Sequence, residues 1–268
     1  MILDCSNGVG ASKFRELVTH LFEKSLHVEF INEKGPLNEK CGADFVKISQ
    51  TFPRGFEKVN AMERCASFDG DADRLVYFYK NKNAEFRCSM RLHETDLNCF
   101  TVYIQFEFFI RIIEFLKPFQ QLIGCGLDKE LSLVIVQTGY ANGNSTKYIR
   151  EEMGLEVKMV PTGVKHLHHE ASKYDIGVYF EANGHGTVTF SDHFHEIISR
   201  FKIELKRLRG FSSLINEVVG DAMCDLLVVE ILLRHYDWSV DDWAQKLYTD
   251  AASCQLKVKV RSIHQLSD

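Results

Sequence analysis

The sequence predicts an α/β fold arranged as two consecutive units. Strand-like and helix-like apolar patterns alternate from the first residue to about residue 80, and a second alternation starts near residue 131. Between them, an apolar helical pattern ends at Pro118 and is followed by Gly124 and Gly126, which is typical of a domain boundary. We therefore expect one α/β unit over residues 1–122 and another over residues 123–252.

Each expected element rests on apolar periodicity between glycine, proline or asparagine breaks. In the first unit we expect a strand at 1–4, a glycine turn at 7–10, a helix at 12–24, a strand at 27–31, a loop at 33–42, a short element at 44–48, strands at 65–68 and 75–79, a turn at 81–83 and a helix at 106–116. In the second unit we expect strands at 131–136, 156–160, 176–180 and 188–190, and a loop at 137–145 that opens a helix ending near 154. We also expect a helix at 164–173, several long helices that dominate the stretch from 197 to about 235, and another helix at 240–246.

Composition narrows the functional classes. The 268 residues carry a formal net charge of −5 and no long basic run, so nucleic acid is not expected as a partner. Charges at Glu107, Arg111 and Glu114 interrupt the most apolar region, so no membrane span is expected. The first residues have no signal-peptide pattern, and the eight scattered cysteines form no C-x-x-C pair. We expect reduced thiols and a cytoplasmic location.

The loop D-G-D-A-D-R at residues 69–74 is the strongest indication of chemistry. Its carboxylates stand at alternate positions, and Arg74 follows directly. Hard oxygen ligands so closely spaced favour Mg²⁺, and an arginine beside the metal favours a phosphate. An EF-hand is excluded because its sixth and twelfth positions are Arg74 and Lys80. A solvated acidic turn is the alternative that the local sequence leaves open.

Three other patterns give weaker indications of function. The G-x-G at Gly8 and Gly10 lacks the third glycine of a dinucleotide fingerprint, because Lys13 stands there. The histidines at 166–169 and 193–195 suggest zinc, but no cysteine pattern supports such a site. No G-x-S-x-G motif supports a hydrolase.

The acidic loop occurs with four further motifs in a fixed order. They read C-G-A-D-F-V-K at 41–47, Q-T-G-Y-A-N-G at 137–143, P-T-G-V-K-H-L-H-H at 161–169 and Y-F-E-A-N-G-H-G-T at 179–187. Together these motifs resemble the phosphohexomutase superfamily and, within it, the phosphoacetylglucosamine mutase family. The resemblance implies four α/β domains around a cleft, of which this chain is similar to the second and third, each a three-layer sandwich of sheet and helices. Residues 253–268 resemble the entry to the fourth domain.

The resemblance also implies a reaction and a set of site residues. The family interconverts N-acetylglucosamine 6-phosphate and 1-phosphate, on the route to UDP-N-acetylglucosamine, through a phosphoserine and a sugar bisphosphate. Mg²⁺ offsets the charge on the transferring phosphoryl group. The implied metal ligands are Asp69, Asp71 and Asp73, with Arg74 as the catalytic residue facing the phosphorylated site. The implied substrate-binding residues are Thr162, Gly163, Lys165, His166, Glu181, Asn183 and His185. For Glu181, a satisfied core carboxylate is the alternative.

Some family motifs do not occur in the sequence. It contains neither T-A-S-H-N-P, the phosphoserine loop, nor R-P-S-G-T, the C-terminal phosphate loop, and residues 88–98 depart from the family pattern. The alternative to a mutase is therefore a catalytically inactive fragment that at most binds Mg²⁺ or phosphosugar. Two domains without their neighbours would also expose apolar surface, so we expect self-association.

Overall fold

The computed structural model contains two β-sheets flanked by helices. It describes residues 1–22, 24–83, 85–88, 131–181, 185–200, 206–242 and 251. The expected helices at 106–116 and, for most of its length, 240–246 lie outside these residues. So do the expected domain boundary near residue 123, residues 253–268 and nearly all of the divergent segment 88–98.

The first sheet has five strands in the order β2-β1-β3-β4-β5. They are β1 (Ile2–Asp4), β2 (Glu29–Ile31), β3 (Cys65–Phe68), β4 (Leu75–Lys80) and β5 (Phe86–Cys88). Strand β1 runs parallel to β2 and β3, whereas β3, β4 and β5 form antiparallel hairpins. The helices of this first unit are α1 (Gly10–Leu17), continued by a π-helical turn (Val18–Phe22), and α2 (Ala43–Ser49).

The second sheet has four strands in the order β7-β6-β8-β9. They are β6 (Leu133–Thr138), β7 (Val157–Val160), β8 (Ile176–Phe180) and β9 (Gly186–Phe190). As in the first sheet, three parallel strands (here β7, β6 and β8) are followed by an antiparallel hairpin, β8–β9. The β3–β4 and β8–β9 connections therefore hold equivalent places in the two sheets. The helices are α3 (Gly143–Lys147) with a π-helical turn (Tyr148–Glu152), α4 (Val164–Ala171), α5 (Asp192–Arg200), α6 (Lys206–Leu214) and α7 (Ala222–Tyr236).

Both sheets bury both faces. In β4, Leu75, Tyr77 and Tyr79 face a large core that also contains residues of α7, while alternate residues Val76 and Phe78 pack with α2. The second sheet likewise shares the large core on one face and packs against α4 on the other. The predicted layers of sheet and helix are thus present.

Helix α7 joins the two halves of the chain. The Glu230 carboxylate accepts a 3.2 Å hydrogen bond from the Tyr77 hydroxyl, and its other oxygen lies 3.0 Å from Arg64 Nη2. The Arg234 guanidinium donates to the Ser25 carbonyl at 2.8 Å. Helix α7 is therefore held against the first half of the chain by polar contacts as well as by the shared apolar core.

Within the described residues the predicted elements are confirmed in type, but some of their boundaries were wrong. The helix expected at 197 begins at Asp192, because Ser191 Oγ accepts from the Phe194 amide at 3.0 Å and caps it. The loop expected to run through Ser145 ends earlier, since Asn142 caps α3 by accepting from the Asn144 amide at 3.0 Å. In the described residues, no helix has the length and apolarity needed to cross a membrane.

Candidate functional site

The acidic loop, residues 69–74, is the connection of the β3–β4 hairpin, as expected. The turn after β1 packs directly against it, with the Val9 amide donating to the Gly70 carbonyl at 3.1 Å. A Cβ on Gly8 would lie only 2.2 Å from that carbonyl oxygen, so the approach requires glycine. The G-x-G of the sequence therefore has a packing role at this site.

The three carboxylates of the loop converge. One oxygen from each of Asp69, Asp71 and Asp73 lies within 4.8 Å of the others. Asp69 is buried, Asp73 is partly buried and Asp71 is exposed. Such a cluster of hard oxygen ligands open to solvent on one side suits a cation that keeps some of its water ligands, as Mg²⁺ does.

Backbone hydrogen bonds hold the loop in shape before any cation binds. Asp69 Oδ1 accepts from the amides of Asp73 and Arg74, at 3.0 and 3.1 Å. Burial, followed by the nearby carboxylate of Asp73, raises the pKa of Asp69 to about 7. The fold thus brings like charges together at a cost that a bound cation would offset.

A buried atom of the loop lacks a hydrogen bond. Asp73 Oδ1 has no hydrogen-bond partner among the described residues, although Arg74 Nε lies 3.6 Å away. An ionised buried oxygen is costly to leave unsatisfied. The residues present therefore fit a metal ion at this position.

Arg74 lies against the acidic cluster and is held from the opposite side. Its Nη1 is 2.7 Å from Asp44 Oδ2 in the first turn of α2, while its Nε lies 3.5 Å from Asp69 Oδ2. The Asp44 contact fixes one end of the guanidinium beside the three carboxylates. Asp44 belongs to the motif at 41–47, but the sequence assigned it no role.

His185 connects the second sheet to the acidic loop. Its Nδ1 lies 2.7 Å from Asp73 Oδ2, although the two residues are 112 positions apart. The hydrogen bond to Asp73 raises the pKa of His185, and the same bond lowers the pKa of Asp73. His185 ends the connection between β8 and β9, which we call the hairpin loop (residues 181–185).

Two of the predicted substrate-binding loops also meet. Glu181 is buried, and its Oε1 accepts from the Gly163 amide at 2.9 Å. Gly163 has a φ of 123°, which favours glycine, and it precedes α4. Thr162, Lys165 and His166 are exposed around the start of α4. Asn183 lies outside the described residues.

The histidine clusters have other partners. His168 Nδ1 lies 3.0 Å from the Tyr179 hydroxyl, His193 lies 3.4 Å from Asp175, and His195 lies 3.5 Å from Glu217. Within the part of the chain that the structure describes, no group of three ligands forms around them, and the acidic loop supplies the one such group.

Comparison with known proteins identifies the family. The family model "Phosphoacetylglucosamine mutase AMG1, domain II" matches residues 1–76, and "Phosphoacetylglucosamine mutase AMG1, domain III" matches residues 111–238. The chain belongs to the phosphoacetylglucosamine mutase family.

Relatives in the phosphoacetylglucosamine mutase family match nearly the whole chain. The Homo sapiens phosphoacetylglucosamine mutase is 43% identical over 268 residues, which cover 96% of this chain and 46% of the relative. The Saccharomyces cerevisiae phosphoacetylglucosamine mutase is 38% identical, covering 100% of this chain and 48% of the relative. The chain thus spans about half the length of the curated relatives it matches.

Solved structures of mutases agree with the fold. An Aspergillus fumigatus N-acetylphosphoglucosamine mutase in complex with GlcNAc-6P and magnesium is 38% identical, with a TM-score of 0.79 over 93% of this chain and 49% of that one. An apo N-acetylglucosamine-phosphate mutase of the α-D-phosphohexomutase superfamily is 39% identical, also with a TM-score of 0.79, over 93% of this chain and 53% of that one.

Sequence reasoning missed some residues around the site. The buried Asp4 accepts from the Gly42 amide before α2, and the segment at 216–222 contacts the acidic loop and the hairpin loop, yet neither lies in a recognised family motif. The pattern Gly220-Asp221 before an apolar run does indicate a helix N-cap at Asp221, and the structure contains that cap. That pattern gave no reason to connect the cap with the acidic loop.

Proposed function

We propose that this chain forms the metal-binding and sugar-binding domains of a phosphoacetylglucosamine mutase, with residues 1–122 as domain II and residues 123–252 as domain III. The reaction is the interconversion of N-acetylglucosamine 6-phosphate and 1-phosphate. The observation that carries the proposal is the contact between Asp73 of the acidic loop and His185 of the hairpin loop. This contact brings candidate metal ligands and candidate sugar-binding residues to one site.

In this proposal Asp69, Asp71 and Asp73 hold Mg²⁺. Two features support this assignment: the convergence of their oxygens and the absence of a hydrogen bond at Asp73 Oδ1 in the described residues. The ion supplies charge neutralisation for a phosphoryl group. Arg74, fixed by Asp44, provides N–H donors suited to phosphate oxygens.

The hairpin loop and the loop before α4 bind the sugar in this proposal. Glu181 and Asn183 pair with ring hydroxyls, and Glu181 also holds Gly163, so the two loops form one surface. Thr162 and His185 line the same surface, while the exposed Lys165 and His166 meet the substrate phosphate. Relatives support this substrate, since one Aspergillus fumigatus structure contains GlcNAc-6P and another contains glucose 1,6-bisphosphate.

The metal site can be tested by titrating Mg²⁺ into the chain by calorimetry and by following thermal unfolding. Asp71→Asn should abolish the binding heat and the Mg²⁺-dependent stabilisation, because it removes an exposed ligand without disturbing the core. The wild type should gain about 2.7 kcal/mol at a Mg²⁺ concentration of 100 Kd. The control Asp192→Asn changes an exposed aspartate of α5 and should behave as wild type. Equal Mg²⁺ binding by Asp71→Asn and wild type would contradict the assignment.

A second candidate function is binding without turnover. The observation that favours it is the absence of a T-A-S-H-N-P segment from the sequence, because the reaction needs a serine that accepts the phosphoryl group. With Mg²⁺ and glucose 1,6-bisphosphate, we expect no interconversion of the two N-acetylglucosamine monophosphates by the chain. Turnover that Asp71→Asn abolishes would overturn this expectation and assign the complete activity to the chain.

A further inference from the structure

The segment between α6 and α7 lies between the two loops of the candidate site. We call residues 216–222, which include the first residue of α7, the bridging segment. It is attached to β9 at two points: Thr187 Oγ1 donates to the Asn216 carbonyl at 2.6 Å, and the Phe190 amide donates to Glu217 Oε2 at 2.8 Å. The bridging segment is therefore anchored to the strand that leaves the hairpin loop.

Gly220 brings the bridging segment against the hairpin loop. A Cβ on Gly220 would lie 3.2 Å from the Gly186 carbonyl oxygen and 3.3 Å from both the Gly186 nitrogen and His185 Cδ2. Contacts this short leave little space for a side chain at Gly220. Because His185 also contacts Asp73, the segment packs against the residue that links the two loops.

The opposite end of the bridging segment binds the acidic loop. The Ala222 amide donates to the Ala72 carbonyl at 2.9 Å. Ala222 is the first residue of α7, and Asp221 Oδ1 accepts from the next two amides, those of Met223 and Cys224. The Ala72 carbonyl thus accepts from the Ala222 amide, which has no hydrogen-bond partner within the helix.

The carbonyl that accepts the hydrogen bond from the Ala222 amide belongs to a residue with a strained backbone. Ala72 has a φ of 60°, a left-handed conformation that costs a non-glycine residue on the order of 1 kcal/mol. It lies between Asp71 and Asp73, so its conformation decides where both carboxylates point. The bridging segment is itself braced, since Asn216 Oδ1 accepts from the amides of Val218 and Val219 at 3.2 and 3.4 Å.

We propose that the bridging segment is a positioning element that holds the acidic loop against the hairpin loop and couples their ligands. The inference rests on the proposed function for the identity of those ligands, Mg²⁺ and a sugar phosphate. Its physical basis is the chain of contacts from Thr187 through Asn216 and Ala222 to Ala72. Binding of either ligand should therefore strengthen binding of the other.

Ala222→Pro removes the bonding amide and directs the ring Cδ toward the Ala72 carbonyl oxygen, so the bond to Ala72 cannot form. Proline is favoured at the first position of a helix, and Asp221 has an extended backbone, φ −134° and ψ 99°, outside the α region that a following proline disfavours. Ala222 is fully buried, so the matched control is Ala222→Val, which adds bulk but keeps the N–H. Circular dichroism should show that both variants are folded.

The first measurement is Mg²⁺ affinity by calorimetry, with and without saturating N-acetylglucosamine 6-phosphate. In the wild type and in Ala222→Val, the sugar phosphate should tighten Mg²⁺ binding by about fivefold or more. In Ala222→Pro, this factor should fall to nearly one. Unchanged coupling in Ala222→Pro, or equal loss in both variants, would overturn the inference.

The second measurement needs no ligand. The amides of Asp73 and Arg74 bond to Asp69, so their hydrogen exchange reports the shape of the acidic loop. Exchange should accelerate in Ala222→Pro and not in Ala222→Val. If the wild type binds no Mg²⁺, the proposed function fails, while hydrogen exchange still decides whether the bridging segment positions the loop.

A second pair of variants tests the inference if Ala222→Pro does not fold. Gly220→Ala should push against Gly186 and His185 and give the same two effects. Gly210→Ala is its matched control, because a Cβ there meets no atom within 4 Å. Unchanged coupling and unchanged exchange in Gly220→Ala would then overturn the inference.

Discussion

Asp4 is a fully buried carboxylate that joins several segments around the acidic loop. It accepts hydrogen bonds from the Ser6 and Gly42 amides, Asn32 Nδ2 and Ser67 Oγ, at 3.1, 2.7, 2.8 and 2.6 Å. Burial raises the pKa of Asp4, while these hydrogen bonds oppose the increase. Gly42 precedes α2, so Asp4 also fixes the helix whose Asp44 holds Arg74.

We predict that Asp4→Ala lowers the free energy of unfolding by about 2–4 kcal/mol, because it leaves several buried donors without an acceptor. Urea denaturation followed by circular dichroism measures the change. The control Asp192→Asn, an exposed site, should stay within about 0.5 kcal/mol of wild type. A comparably small effect for Asp4→Ala would mean that water or rearrangement satisfies these donors.

The β3–β4 and β8–β9 hairpins are the elements that place the site. Each hairpin follows a parallel trio in its own sheet, and each carries one of the functional loops. Helix α7 runs from the acidic loop, where Ala222 bonds Ala72, to the Tyr77 and Arg64 contacts of Glu230. This helix therefore fixes the first sheet relative to the second.

Glu230 should make the contact between α7 and the first sheet sensitive to pH. Burial raises the pKa of Glu230 above its usual value of 4.5, although Arg64 and Tyr77 oppose the increase. A group with a raised folded-state pKa stabilises the fold fully below its unfolded pKa, and this contribution is lost as pH rises through the folded pKa.

We therefore predict that wild type loses stability relative to Glu230→Gln as pH rises from 4.5 through the folded-state pKa, because glutamine mimics the protonated form. Urea denaturation of both proteins across this range measures the difference. A difference that does not change with pH would show that Arg64 compensates the buried charge completely.

At the scale of the whole molecule, both halves share one apolar core. Residues of β4 in the first sheet, of β8 in the second and of α7 belong to the same buried cluster. Separation of the two sheets would expose this surface, so they are expected to move together. The two site loops then keep their distance through packing as well as through Asp73 and His185.

Exposed apolar residues next to the acidic loop support the expected self-association. Val9 is 61% exposed and Leu37 is 60% exposed, and both lie against Gly70. We predict concentration-dependent oligomers in light scattering, and a shift toward monomer in the double variant Val9→Glu, Leu37→Glu. A monodisperse wild-type monomer would contradict this prediction.

The sequence by itself determined the α/β class, most elements and the acidic loop, because these depend on local periodicity, glycine and closely spaced charges. It also determined that the motifs at 161–169 and 179–187 belong with the acidic loop. Element boundaries such as the start of α5 depended on a single capping hydrogen bond, which Ser191 Oγ accepts from the Phe194 amide. Periodicity does not register a bond of this kind.

Only the tertiary structure decided how the loops meet. The contact between Asp73 and His185 spans 112 positions, and the bond between Ala72 and Ala222 crosses from one sheet to the helix of the other. In the sequence, Asp4 likewise looks like an ordinary strand residue, and only the fold shows that the Gly42 amide and Ser67 Oγ donate to its carboxylate. Such contacts depend on which faces of distant elements pack together, and no spacing within the sequence encodes that choice.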